Sequence, residues 1–295
     1  MPSCRETSDR HARGIHVKKN RSSLAYGTPP YISRLQHDLP PPKSEYFAGN
    51  SQDTSALEVF IALADLTSIL DYCLEQVYNI HHDNPDLSWN LHSKLDQWVQ
   101  NLKGDVRKII IHGVKLDIPG ASNLRLAFLS IKLLLQRIDL DRWRQSSNSI
   151  NPAQLANQSI LPRRTAEEIV VLVQELQDEH LGDFWRPVAA FIFTSTTTFL
   201  LRCALETGSH SELSYNSSLQ MAHEFLSSLR SHKERMGWDL ADTCLAQHSE
   251  VVETLLSSAP IRDATNLNQQ AFMPDMDFIG AMFPSVWDNL TSIYE

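Results

Sequence analysis

Glycine and cysteine are scarce in this chain. Ten glycines in 295 residues leave few of the close backbone approaches that phosphate and dinucleotide loops need. No Gly-rich loop followed by Lys-Ser/Thr occurs, nor a dinucleotide fingerprint, nor a Gly-x-Ser-x-Gly elbow. The four cysteines, Cys4, Cys73, Cys203 and Cys244, stand far apart with no Cys-x-x-Cys spacing. That excludes a compact thiolate metal cluster and points to reduced core thiols of an intracellular protein. No apolar run follows Met1 as it would in a secretory signal. The most apolar stretch, Phe184 to Leu201, is interrupted by Arg186 and Pro187 and carries Thr194, Ser195, Thr196, Thr197 and Thr198. It reads as a buried helix and not as a membrane span of about 20 residues. Basic charge is short as well: 26 Lys and Arg against 35 Asp and Glu give a net charge of -9. A surface wholly shaped to clamp nucleic acid is thereby excluded, and any DNA contact must be local.

Metal-ligating and catalytic patterns fail on spacing. His81-His82-Asp83-Asn84-Pro85-Asp86 holds suitable side chains, but neighbours in sequence point apart and Pro85 marks a helix boundary, so a loop-capping role is expected. His223-Glu224 opens like a zinc-protease helix, yet Ser227 stands where the second histidine would be. The expectation is a chain without catalytic residues, cofactor or metal.

What remains is helical periodicity. Residues 1–52 lack it, are rich in Pro, Ser, His and basic side chains, and include Pro29-Pro30 and Pro40-Pro41-Pro42; they read as a disordered basic arm. Ser55-Ala56-Leu57-Glu58 is a capping-box pattern ahead of an apolar stripe running from Phe60 to Val77. Leu91, Leu95, Trp98 and Leu102 then recur at steps of four, three and four, with polar residues between them, which predicts an amphipathic helix. A connector with Gly104, Gly113, Pro119 and Gly120 leads to a helix apolar almost all round. Leu124, Phe128, Ile131, Leu135 and Ile138 lie on one of its faces, and Leu126, Leu129 and Leu133 nearly close the ring. Such a helix belongs inside a large helical body.

After a polar linker at Gln145 to Asn151, Thr165-Ala166-Glu167-Glu168 supplies a second capping-box pattern before Ile169, Val170, Val173 and Leu176. A helix from Pro187 to about Glu206, a break at Thr207 to Ser211, and helices near Leu219 to Met236 and Trp238 to Leu256 complete the order. The alternation Val114, Leu116, Ile118 is too short and isolated to build a sheet. The class is all-α, a multi-helix body of about seven or eight helices over residues 53–258.

The order of these segments resembles the fungal-specific transcription factor domain, the middle homology region of zinc binuclear cluster transcription factors. In that family a helix with a Leu, Leu, Trp pattern precedes an apolar helix closing on Leu-Leu-hydrophobic-Arg-Pro. Here Leu91, Leu95 and Trp98 match the first, and Leu133, Leu134 and Arg137 match the second, with Gln136 in the hydrophobic place and Ile138 in that of the proline. Ala166 to Val170, Phe184-Trp185-Arg186-Pro187 and Trp238-Asp239-Leu240-Ala241 continue the order, so the resemblance covers most of residues 55 to 258. It implies a transcriptional regulator located in the nucleus. The family's six-cysteine zinc cluster has no counterpart, so DNA would be met only weakly or through a partner chain; either an upstream exon is missing from the gene model or the protein works through that partner. The resemblance also implies a domain that receives inhibitory or metabolite signals, for which a cavity between the helix at Ile131 and the helix at Phe191 would be a place. A homodimer through the helical body is a further expectation.

From Asp263 onward there is no Lys or Arg, and acidic residues alternate with bulky apolar ones. Residues 259–295 therefore fit an acidic-aromatic activation segment that recruits transcription machinery or a coactivator, with Asp275, Asp277, Phe278, Phe283, Trp287, Asp288 and Leu290 as its working residues. A helix docked on its own domain through the same apolar residues is the other reading. In the arm, Arg5, Arg10, Arg13, Lys18, Lys19 and Arg21 fit a remnant beside a lost cluster, an import signal, a weak phosphate-binding tail or a merely solvated charge run. The alternative to a regulator is a helical small-molecule-binding protein or enzyme whose site assembles only in three dimensions.

Overall fold

The structure, a computed structural model, describes residues 51–78, 86–146, 152–207 and 216–257. Every regular element among them is helical, and no strand occurs among the described residues. The order is α1 (Ser51–Tyr78), α2 (Asp86–Asn101), α3 (Gly104–His112), α4 (Ala121–Ser146), α5 (Pro152–Gln158), α6 (Ile160–Gln174), α7 (Asp178–Leu181), α8 (Val188–Thr207), α9 (Ser217–Met236), a 3-10 turn at Asp239–Ala241, and α10 (Asp242–Ser257). The all-α class is thus as the sequence predicts, while three short helices raise the count above the expected seven or eight. One of these, α3, lies inside the supposed connector: Val106, Ile109 and Ile110 give it a buried face. Gly113 at φ 68 ends it, its N–H bonding back to the Ile109 carbonyl.

Both expected capping boxes are overturned. Helix α1 starts at Ser51, because no Pro or Gly between 51 and 55 stops it, and Ser55 falls in its second turn. The folded body therefore reaches into the last residues assigned to the arm. Helix α6 starts at Ile160 and carries Thr165 and Ala166 buried in its interior. Pro162 sits in the first turn, where a missing N–H costs nothing. Helix α4 likewise runs on to Ser146, into the segment read as linker. The rest of the arm, the His81 to Pro85 motif, residues 208–215 and the whole tail from 258, with all seven proposed activation residues, lie outside the described residues.

The core is organised by α4. Leu126, Leu129, Leu133 and Leu140 enter one apolar cluster with α6, α8, α9 and α10. Leu124, Ala127, Ile131, Leu134 and Leu135 enter another with α1, α2 and α3. Leu126, Leu129 and Leu133 on the one hand, and Leu124, Ala127, Ile131 and Leu134 on the other, repeat at steps of three and four, so the two stripes occupy different sides of one helix. Consecutive leucines 133 and 134 thus serve different clusters. In the first cluster, Trp238 meets Trp185 edge-on at 5.1 Å and lies 5.4 Å from Phe193, which in turn meets Phe225 edge-on at 5.9 Å. In the second, Trp98 packs beside Phe128 at 6.2 Å.

Polar contacts pin the helix ends. The Gly120 N–H donates to Asp183 Oδ2 at 2.6 Å. Asn123 accepts from the Arg186 N–H at 3.2 Å and donates to the Phe184 carbonyl. Arg125 donates to the Ile110 carbonyl and pairs with Glu168 at 3.3 Å, and Lys132 reaches the same carboxylate at 3.1 Å. Glu168, the supposed capping residue, instead ties α6 to α4.

Because α4 lines both clusters, they should unfold together. Leu129→Ala, at a site with no exposure, is expected to remove about 2–5 kcal/mol. Urea unfolding followed by Trp fluorescence and by far-UV circular dichroism should then give one coincident transition at a lower midpoint. Separated transitions would refute the shared core.

Candidate functional site

A cleft of ≈ 30 Å³ opens between α4 and α8, in the place the sequence resemblance assigned to a ligand. Ser130, Leu133, Leu134 and Arg137 line it from α4, and Phe191, Ile192, Ser195 and Thr196 from α8. The four α4 residues recur at steps of three, one and three, and those of α8 at one, three and one, so one strip of each helix faces the other. The volume suits a few waters or the head of a small ligand.

Arg137 is the charged group of this wall. It is only 6% exposed, and its Nη1 donates to Ser195 Oγ at 2.9 Å. The guanidinium carbon lies 5.5 Å from the centre of the Phe199 ring. Burial pushes the guanidinium down to about 10, against the opposing pull of Asp141. It remains a cation at neutral pH, held where charge is penalised. Two turns further on, Arg144 bonds Asp141 at 3.0 Å and Glu206 at 2.5 Å, and Glu206 also takes Arg202 at 2.9 Å.

Thr196 is the unusual hydroxyl. Along α8, Thr194, Thr197 and Thr198 each donate back to the carbonyl four residues earlier, at 2.9–3.0 Å. Thr196 has no exposure, and its Oγ1 has no partner. An unsatisfied buried hydroxyl costs about 1–3 kcal/mol, and this one belongs to a residue lining the cleft.

A second polar cluster sits between α8 and α10. Cys244 and His248, one turn apart, are both fully buried, with Sγ 4.0 Å from Nδ1. Nucleophile chemistry does not follow. Burial pushes the Cys244 thiol up to about 12, with Thr197 and Thr194 opposing, and a protonated thiol is a poor nucleophile. Cys73 and Cys203 are pushed up to about 12 by the same cause. His248 Nδ1 lies 3.0 Å from the Cys244 carbonyl, which can only accept, so Nδ1 carries the hydrogen, and Nε2 lies 3.0 Å from Thr198 Oγ1. Burial pulls His248 below the ordinary histidine range. No group of three or more His, Cys, Asp or Glu able to hold a metal ion occurs among the described residues.

Of the six pattern residues, Leu91, Leu95 and Leu134 meet in one cluster with Trp98 at its edge, and Leu133 lies in the other. Leu133, Leu134 and Arg137 of the six line the cleft, and Arg137 is the charged one. Sequence reading named it as a core residue and missed Ser130, Ser195 and Thr196, whose only signal was a hydroxyl run inside an apolar helix. Val188 to Glu206 is long and apolar enough to cross a membrane. Its Phe193, Leu200 and Ala204 are fully packed within the first cluster.

Thr196→Val keeps the shape and removes the unpaired hydroxyl, so it should leave the protein as stable or raise its stability by about 1 kcal/mol, read as a higher urea midpoint. The two perturbed histidines should act oppositely on pH. His92 is raised, chiefly by its 2.7 Å bond to Asp139, so its contribution is present below the unfolded value near 6.5 and fades as pH rises through the folded one. His248 is lowered, so on acidification below about 6.5 the unfolded chain takes up a proton that the fold refuses. His92→Gln should therefore lose stability more steeply than the parent between pH 7 and pH 5; an unchanged slope would contradict the pairing with Asp139. Comparison of the chain with protein-family models, curated proteins and solved structures gives no match.

Proposed function

We propose that the chain is a transcriptional regulator of fungal type, in which the helical body holds or senses a state and the tail after 258 recruits transcription machinery or a coactivator. The observation that carries the reading is the meeting of the pattern's two halves. Leu91 and Leu95 of α2 are buried against Ile131, Leu134 and Leu135 of α4, Trp98 stacks beside Phe128, and His92 bonds Asp139. The arginine that closes the second half lies buried beside a cleft. Function then resides in surfaces and in that cleft, with the nucleus as the site of action and DNA reached through a partner chain.

The tail's composition supports the output role. Carboxylates at Asp275, Asp277 and Asp288 keep the neighbouring aromatics solvated, and Phe283, Trp287 and Leu290 share helical spacing for insertion into a partner's groove. The cleft favours the second reading, a helical small-molecule-binding protein, since a concave site with one charged group and apolar walls is how such ligands are held.

Fusing residues 259–295 to a heterologous DNA-binding domain should activate a reporter, and Phe283→Ala with Trp287→Ala should abolish that activation. A silent fusion, or one indifferent to the double substitution, overturns the tail's role.

A further inference from the structure

We propose that the tail docks on its own helical body, laying the apolar side chains of Phe278 to Leu290 along the outer side of α6. The body has an uncovered strip there. Ile160 is 53% exposed, Leu161 63% and Val171 41%. Ile160 and Val171 lie on one side of the helix about 16 Å apart, with Leu161 beside the first. A single exposed apolar side chain is ordinary, but three on one helix make a strip that a partner can cover. Arg163 and Arg164 are exposed next to the apolar pair, and Glu167 is the one exposed carboxylate between Ile160 and Val171. The strip is therefore basic and apolar, on a chain whose net charge is -9.

Complementarity and reach name the occupant. From Asp263 onward there is no Lys or Arg, and Asp275, Asp277 and Asp288 are interspersed with Phe278, Phe283, Trp287 and Leu290, so the tail offers the opposite charge and matching apolar surface. The last helix also delivers it to the right end of the body. Helices α6 and α9 run side by side in one direction: Arg163 Nη1 donates to Ser217 Oγ at 3.3 Å near their starts, and His232 Nε2 lies 2.7 Å from the Val173 carbonyl oxygen near their ends. Helix α10 returns along α9, with Asp242 2.8 Å from Lys233 and Ser249 3.2 Å from Arg230. Ser257 thus ends α10 toward the end at which Ile160 and Leu161 begin α6. Crossing from α10 over α9 to α6 is two helix spacings, about 20 Å, whereas the roughly 20 residues between Ser257 and Phe278 reach about 65 Å when extended. A tether of that length holds the tail at an effective concentration on the order of millimolar, so weak contacts suffice. The docking does not rest on the chain being a transcriptional regulator; if it is one, docking and coactivator recruitment compete for the same aromatics.

Hydrogen exchange of the purified full-length chain tests this. Amides from Phe278 to Leu290 should exchange at least about tenfold more slowly in the parent than in Leu161→Glu with Arg164→Glu. Both substituted side chains are exposed, so the Tm should stay the same, and the slowing should persist on dilution of the protein. In Phe283→Ala with Trp287→Ala, hydroxyl radicals should oxidise Leu161 faster than in the parent; should the α6 variant lose its fold, this footprint decides. Unprotected tail amides in the parent, protection indifferent to the α6 variant, or Leu161 oxidation indifferent to the tail variant overturns the proposal. Protection that vanishes on dilution assigns the strip to a second copy's tail and overturns it too. The reporter fusion contains no helical body, so its result is separate: activation beside an unprotected tail sinks docking alone, and a silent fusion beside a protected tail leaves docking standing.

Discussion

The rest of the structure depends on α4 being buried on two sides. A helix that must satisfy two separate apolar clusters cannot be amphipathic, which is why Leu124, Leu126, Leu129, Ile131, Leu133, Leu134 and Leu135 crowd 12 residues with little polar relief. Each fully buried side chain contributes about 1.5–3 kcal/mol relative to exposure, so this segment is a large part of what opposes chain entropy. It also fixes where polar atoms can go. Arg125, Lys132 and Arg137 are long enough to leave the helix surface and find Ile110, Glu168 and Ser195 on neighbouring elements. They turn the seams between clusters into bonded contacts.

That placement explains why the described thiols and His248 are chemically quiet. The described thiols are deep in apolar packing and pushed up to about 12. His248 is held neutral between a carbonyl and a threonine. Both are the behaviour of groups that the core tolerates, not of groups prepared for proton transfer or attack. Arg137 differs in kind: it stays charged, it is buried, and a cleft lies beside it.

Helical class, the amphipathic α2 and the all-round apolar α4 were legible because burial writes its period directly into sequence: Leu91, Leu95 and Trp98 on one stripe, seven apolar positions on α4. Helix starts were not. Ser55 and Thr165 each precede a glutamate by three residues, but a capping box works only where the chain has left helical geometry, and neither Ser51 to Thr54 nor Ile160 to Arg164 leaves it. Pro162, which looks like a boundary, is admitted in the first turn of α6. The third helix hid because the nine residues from Gly104 to His112 hold too few apolar repeats to announce a period. The place of the cleft was legible only through the resemblance; its hydroxyls were not. Thr196 differs from Thr194, Thr197 and Thr198 by which acceptor its rotamer meets, and that is settled by the packing of α8 against α4.

Two-sided burial also decides what a change at Arg137 can do. Arg137 lies three residues after Leu134 and four after Leu133, on the turn that follows the point where α4 divides its side chains between clusters. Protein interiors are close-packed and bistable in preference to being continuously deformable. A displacement of this turn therefore cannot be absorbed by one cluster alone: moving Leu133 disturbs its packing in the α6–α8 cluster, and moving Leu134 disturbs Leu91 and Leu95. Local rearrangement of the Arg137 side chain, with its bond to Ser195 Oγ broken or remade, costs far less than moving the helix. Events at the cleft thus stay local until their free energy rivals the packing on both sides, and once it does they are shared by the whole body.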